Sequence, residues 1–143
     1  MTTQNPFLPS ETHPPQNGQP EPPRILIVDD EDHLGRFVSI GLMRSGYATV
    51  VCSSAEDARH WLRTGAWSLV ITDVVMPRET GFDLIRWLQD HHPQLPVMVM
   101  TAHSLHLVQE QADSLGIVEI LSKPFTLQQL RDTVQRLVGE PVN

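Results

Sequence analysis

The sequence predicts a doubly wound α/β fold: a five-stranded parallel sheet with helices on both faces. Two observations predict it. Short, continuous apolar runs recur along the chain without the polar alternation of a half-exposed strand, as expected for strands covered on both faces. Between them, apolar residues repeat at helical spacing, so strand and helix alternate as βαβ units require.

Residues 1–23 stand outside this pattern. They hold seven of the twelve prolines and no basic residue or long apolar run. Such a segment buries too little surface to offset its ordering entropy and reads as a disordered tail, with a proline-rich docking peptide as the alternative. The folded unit is expected over 24–139, followed by a short tail at 140–143.

Arg24-Ile-Leu-Ile-Val28 is the first strand. Leu34, Phe37, Val38, Gly41 and Leu42 form a helical face, with Gly46 as its stop. Tyr47 to Cys52 is the second strand. Ser54 caps a helix carrying Ala58, Trp61 and Leu62, closed by Gly65. Leu69 to Ile71 runs into Asp73 as the third strand, and Phe82, Leu84, Ile85 and Leu88 mark a helix stopped before Pro93. Val97 to Met100 is the fourth strand, and Leu105, Val108, Ala112 and Leu115 mark the next helix. Ile117 to Leu121 is the fifth strand, and Leu127, Leu130, Val134 and Leu137 define a last helix ended by Gly139 and Pro141.

Composition excludes several classes of function. A net charge of −7 with scattered arginines does not suit binding to a phosphate backbone, so no direct nucleic-acid contact is expected. No apolar run is long enough to span a bilayer, and the N-terminus lacks the features of a secretion signal. The single cysteine, Cys52, fits a reducing compartment, and a cytoplasmic location is the expectation.

In a fold of this kind the working residues stand at the carboxyl ends of the strands. Those ends carry Asp29 and Asp30 after the first strand, Asp73 on the third, Thr101 on the fourth, and Lys123, the only lysine, after the fifth. The second strand offers nothing polar of note and should lie at an edge. Clustered carboxylates resist joint ionisation and call for a cation, and an all-oxygen donor set favours a hard ion such as Mg²⁺. A carboxylate can attack phosphorus, while a lysine and a hydroxyl neutralise the transferred oxygens. Singly, each residue has a simpler reading: Asp29 and Asp30 as helix caps, Thr101 as a strand former, Lys123 as a surface charge.

Taken together, Ile25-Leu-Ile-Val-Asp-Asp-Glu31, Ile71-Thr-Asp-Val-Val-Met-Pro77 with Gly81, Thr101-Ala102 and Lys123-Pro-Phe125 resemble the receiver domains of two-component response regulators. The resemblance covers residues 24 to 139 and implies a flavodoxin-like receiver fold with the strand order 2-1-3-4-5. It implies that Asp73 is the phosphoacceptor. Mg²⁺ would be held by Asp30 directly, by Asp29 mainly through water, by Asp73 and by the backbone carbonyl of Val75. Lys123 would pair with the phosphoryl group, Thr101 would turn inward to it, and a cis peptide is expected before Pro124. The implied phosphodonor is a sensor histidine kinase or phosphotransfer protein. The implied output is binding to a downstream protein effector, with a homodimer through the last two helices and the fifth strand as a further option. Such a protein is not an enzyme in the usual sense, since it catalyses only its own phosphorylation and slow dephosphorylation.

The sequence departs from the family pattern in two respects. Ile120 stands where an aromatic switch residue is usual, three residues before the lysine. Val75 and His103 occupy the positions that tune phosphoryl lifetime, and neither is an acid or amide suited to orienting water, so a persistent phosphorylated state is expected. Two other readings compete. A haloacid-dehalogenase-type phosphatase would need an acid at Val75, and a degenerate receiver used only for binding would not need the complete set of acids and lysine. The pairs His91-His92 and His103/His106 read as surface or loop residues, and the three tryptophans as core or rim.

Overall fold

The computed structural model describes residues 21–76, 78–102, 109–110, 113, 115 and 119–141. Within them β1 (Arg24–Val28), β2 (Ala48–Cys52), β3 (Leu69–Asp73), β4 (Val97–Thr101) and β5 (Glu119–Ser122) form one parallel sheet in the order β2-β1-β3-β4-β5. The described helices are α1 (Asp32–Arg44), α2 (Ala55–Leu62), α3 (Gly81–His91) and α4 (Leu127–Val138). The predicted fold class and strand order are both observed.

The alternation of side chains along each strand explains why the strands read as unbroken apolar runs. Ile25, Ile27, Leu69, Ile71, Met98 and Met100 point to the face covered by Val38 and Leu42 of α1 and by Leu130 and Val134 of α4. Leu26, Val28, Val70 and Val99 point to the other face, beneath Ala58 and Leu62 of α2 and Leu84, Ile85 and Leu88 of α3. Burying each such side chain contributes about 1.5–3 kcal/mol, so every central strand position must be apolar whichever way it faces. Trp61, Trp67 and Trp87 are half-buried at the rim of the second cluster, as expected.

Helix ends follow local chemistry. Ser54 caps α2, its hydroxyl accepting from the Asp57 N–H. Thr80 with Asp83, and Thr126 with Gln129, form complete capping boxes on α3 and α4. Gly46 follows α1 with φ 102°, a conformation glycine adopts without strain.

Three boundaries differ from expectation. β2 starts at Ala48, because the Tyr47 N–H is taken by the Leu42 carbonyl and completes the last turn of α1. α2 ends at Leu62 with Arg63 as its cap, so Gly65, at φ 78°, belongs to the following connection. β5 runs on to Ser122, and Ile117 lies outside the described residues. Most of the tail at 1–23, part of the helix expected over Leu105 to Leu115, and His103, His106 and Pro77 also lie outside them. Gln109, Glu110, Asp113 and Leu115 are helical. No helix among the described residues is long and apolar enough to cross a membrane.

Candidate functional site

The chain leaves β1 toward β2 on one side and returns across the sheet to β3 on the other. The carboxyl ends of β1 and β3 therefore flank the point where ligands enter such folds. Register pairs Val28 with Thr72, which sets Asp29 level with Asp73 across that crevice. One carboxylate oxygen from each of Asp29, Asp30 and Asp73 lies within 4.8 Å of the other two. Asp29 and Asp73 are buried and Asp30 is exposed, so the cluster opens to solvent on one side. Among the described residues this is the one group of three or more potential ligands held so close.

Backbone groups hold the two buried acids. Asp29 donates its N–H to the Cys52 carbonyl at 3.0 Å, and its Oδ1 accepts from the Glu31 N–H at 2.8 Å. Asp73 Oδ1 accepts from the Val75 N–H at 3.2 Å. The helix-cap reading of Asp29 and Asp30 does not hold: the cap of α1 is Glu31, and it makes no side-chain capping bond.

Lys123 reaches the cluster from the far side of β4. Its N–H donates to the Thr101 carbonyl at 2.7 Å, extending the β4–β5 ladder past the Thr101–Ser122 pair. From that anchor Nζ stands 2.8 Å from Asp73 Oδ2, 3.9 Å from Asp29 Oδ2 and 3.6 Å from Glu31 Oε1. Burial pulls the ammonium pKa down, but the hydrogen bond to Asp73 and the charges of Asp73, Asp29 and Glu31 outweigh it and leave it raised. Thr101 is fully buried at the end of β4, and the Lys123–Pro124 peptide is cis.

Asp29 is the strained member of the set. Burial pushes its pKa up to about 6; the Glu31 N–H and the Lys123 charge oppose this, while Asp73 and Glu31 add to it. Its Oδ2 is buried with no hydrogen-bond partner. Three carboxylates around one ammonium, with a carboxylate oxygen left orphaned, are the pattern that a hard, oxygen-seeking cation would complete. The residues present therefore fit a Mg²⁺-sized ion.

Other features carry weaker sequence signals. Glu31 belongs to the visible acid run, but its contact with Lys123 depends on the tertiary fold. Arg59 of α2 donates to Glu79 through Nη1 at 2.8 Å and Nη2 at 2.5 Å, fastening α2 to the β3–α3 loop. Those residues are twenty apart on separate elements, and no motif announces them. Gly81 opens α3 so close to the site that a Cβ there would stand 2.1 Å from the Asp73 carbonyl oxygen. His91 stacks on Trp87 with ring centroids 4.4 Å apart, at the far end of α3.

Comparison with known proteins gives the same assignment. The model of the response regulator receiver domain matches residues 25–135. The DNA-binding transcriptional regulator NtrC of Rhizobium meliloti (strain 1021) is 36% identical over 117 residues, covering 82% of this chain and 24% of that protein. The response regulator receiver protein CpdR of Brucella abortus is 29% identical over 115 residues, covering 80% of this chain and 96% of that one. A response regulator receiver protein from Pseudomonas putida superposes with a TM-score of 0.75 at 30% identity, covering 80% of this chain and 96% of that structure. The chain thus spans about a quarter of the length of the NtrC proteins it matches. With strand order, acid cluster and family match in agreement, the chain belongs to the response regulator receiver domain family.

Proposed function

We propose that the chain accepts a phosphoryl group on Asp73 from a phosphohistidine of a sensor histidine kinase or phosphotransfer protein, and that the modification switches its binding to an effector protein. The observation that carries this reading is the contact of Lys123 Nζ with Asp73 Oδ2 at 2.8 Å, inside a cluster of three carboxylates. An Asp73 oxygen attacks phosphorus, the histidine nitrogen leaves, and an acyl phosphate forms on Asp73. Lys123 is already placed to follow one acceptor oxygen and to neutralise the transferred group. Thr101, buried one residue beyond the level of Asp73, supplies the hydroxyl that turns to the new phosphoryl oxygens.

Mg²⁺ would be held by Asp29, Asp30, Asp73 and the Val75 carbonyl, with Asp29 acting mainly through water. When bound, it screens the clustered negative charge so that a phosphoryl donor can approach. Val75 places an exposed apolar side chain at the mouth of the site, where a hydrolase would need an acid. The activity is therefore self-phosphorylation and slow dephosphorylation rather than turnover of external substrates.

Protein partners fit an exposed face of α1. Phe37, Ile40 and Met43 lie at i, i+3 and i+6 on α1 and are each about half exposed, an apolar stripe suited to a helical partner. Ile120 is half-buried against the α2–α3 cluster and cannot swing as a ring would, so the readout at β5 and α4 rests on Thr101 and the backbone. Phosphorylation-driven homodimerisation through that side of the fold, and a cytoplasmic location, complete the reading.

The test is incubation with Mg²⁺ and acetyl phosphate, followed by intact mass, alongside Asp73→Ala. A single phosphoryl addition that requires Mg²⁺ and vanishes in the variant is expected. No addition from acetyl phosphate or from kinase-bound phosphohistidine would refute the proposal.

A further inference from the structure

The pole of the fold opposite Asp73 carries a groove that phosphoryl chemistry does not use. Gly65, Ala66 and Trp67 of the α2–β3 connection form one wall, and His92, Leu95 and Pro96 of the α3–β4 connection form the other, around a space of about 370 Å³. Its central aromatic is held without help from any ligand. The Trp67 indole N–H is shared between the carbonyls of Trp61 at 3.1 Å and Thr64 at 3.2 Å, and the Arg24 guanidinium lies 4.2 Å from the ring centroid. Arg24 is fixed in turn by its bond to the Ala66 carbonyl at 3.1 Å. A rigid groove lined by an indole and proline rings suits an extended proline-rich chain, which brings its conformation ready-made and loses little entropy on docking.

The path of the chain names the occupant. Pro23 is pinned at this pole by its carbonyl, which accepts from the Ala48 N–H at 3.0 Å. Just before it, exposed Glu21 lies close enough for its charge to act on Arg24, whose head group rests on Trp67. The chain preceding β1 thus leaves the sheet beside the groove. Twenty residues precede Glu21, five of them proline, with the pair Pro14-Pro15 six to seven residues back. That length of extended chain reaches about 20 Å, and so short a tether gives an effective concentration of about 1 mM.

We propose that the segment around Pro14-Pro15 docks in the groove between Gly65–Trp67 and His92–Pro96 of its own chain, as an intramolecular proline-rich ligand at the pole opposite Asp73. The assignment is independent of the phosphoryl reading.

The experiment uses the full chain, ¹⁵N-labelled, with a nitroxide on Thr12→Cys. Cys52 is buried, and burial pushes its thiol up to about 12, so it stays unlabelled. Docking predicts broadened signals for the Gly65 and Gln94 amides and the Trp67 indole. Two variants decide between a docked and a free tail. Ala66→Arg fills the groove from an exposed position, and Pro14→Ser with Pro15→Ser removes the anchor. With a millimolar intrinsic affinity about half of the tails are docked, so each variant should cut the broadening by about half or more while the strand amides keep their positions. Broadening equal in the parent and both variants means a free tail and overturns the proposal. Broadening that grows with protein concentration means occupation by a second copy's tail and overturns the intramolecular assignment.

Discussion

Replacing Asp29 by Asn should stabilise the metal-free protein, and the gain should depend on pH in a defined way. The carboxyl titrates at about 6 in the fold against its usual 3.8. Because its folded pKa is raised, its contribution to stability is fully present below the unfolded value and is lost as pH rises toward 6 and beyond. At pH 7.5 the wild type lacks all of it. A rise of about two pH units, at about 1.4 kcal/mol each, sets a ceiling of about 3 kcal/mol on the advantage of the neutral isostere. Asn keeps an oxygen for the Glu31 N–H, so the local turn survives. At pH 4.5 most wild-type molecules are already protonated at Asp29, and the advantage should shrink to about 1 kcal/mol. Urea unfolding in EDTA, followed by tryptophan fluorescence at both pH values, reads the difference directly. An Asp29→Asn protein no more stable than wild type at pH 7.5, or equally favoured at both, would refute the reasoning.

Gly81→Ala drives a methyl into the Asp73 carbonyl and Val74 Cα, backbone that cannot step aside, so a loss of about 2–3 kcal/mol is expected in urea unfolding. Phosphorylation of that variant by acetyl phosphate should slow as well, because relief requires Asp73 or the start of α3 to move. Arg78 holds φ 71°, which costs a side-chain-bearing residue about 1 kcal/mol; Arg78→Gly should return about half of that after its larger unfolded-state entropy, and a lower melting temperature would count against the reading. Val75→Asn places a water-orienting amide at the exposed mouth of the site, so loss of the phosphoryl group should quicken by roughly tenfold. An unchanged decay of the phosphorylated mass would remove Val75 as the reason for persistence.

The architecture was legible because burial on both sheet faces leaves no room for polar alternation. Ile25 to Val28 are wholly inaccessible to solvent, and that is what an unbroken apolar run records. The site was legible because a parallel sheet delivers all its carboxyl ends to one edge, so acids at the ends of two strands and a lysine after a third must converge. Tyr47 misled for a specific reason: its strand-forming side chain sits where the backbone is still completing a helix turn. The capping boxes of Thr80 and Thr126 were readable as Thr-x-x-Asp and Thr-x-x-Gln, yet apolar spacing alone starts those helices later or leaves their caps unnamed. The Arg59–Glu79 pair and the approach of Glu31 to Lys123 were not readable, since each depends on how two loops pack and neither leaves a periodic trace.

The Tyr47 hydroxyl donates to the Gly139 carbonyl at 2.8 Å, across 92 positions of sequence. The next residue, Ala48, holds Pro23. Two adjacent residues at the start of the edge strand thus grip both ends of the folded unit, on the side away from Asp73. Mechanically, the domain has the form of a lever, with the acid cluster at one tip and both ends of the folded unit at the other. Anything joined at either end lies the full length of the sheet from the acid cluster, and a short link between the two ends would close the chain into a ring without crossing that cluster.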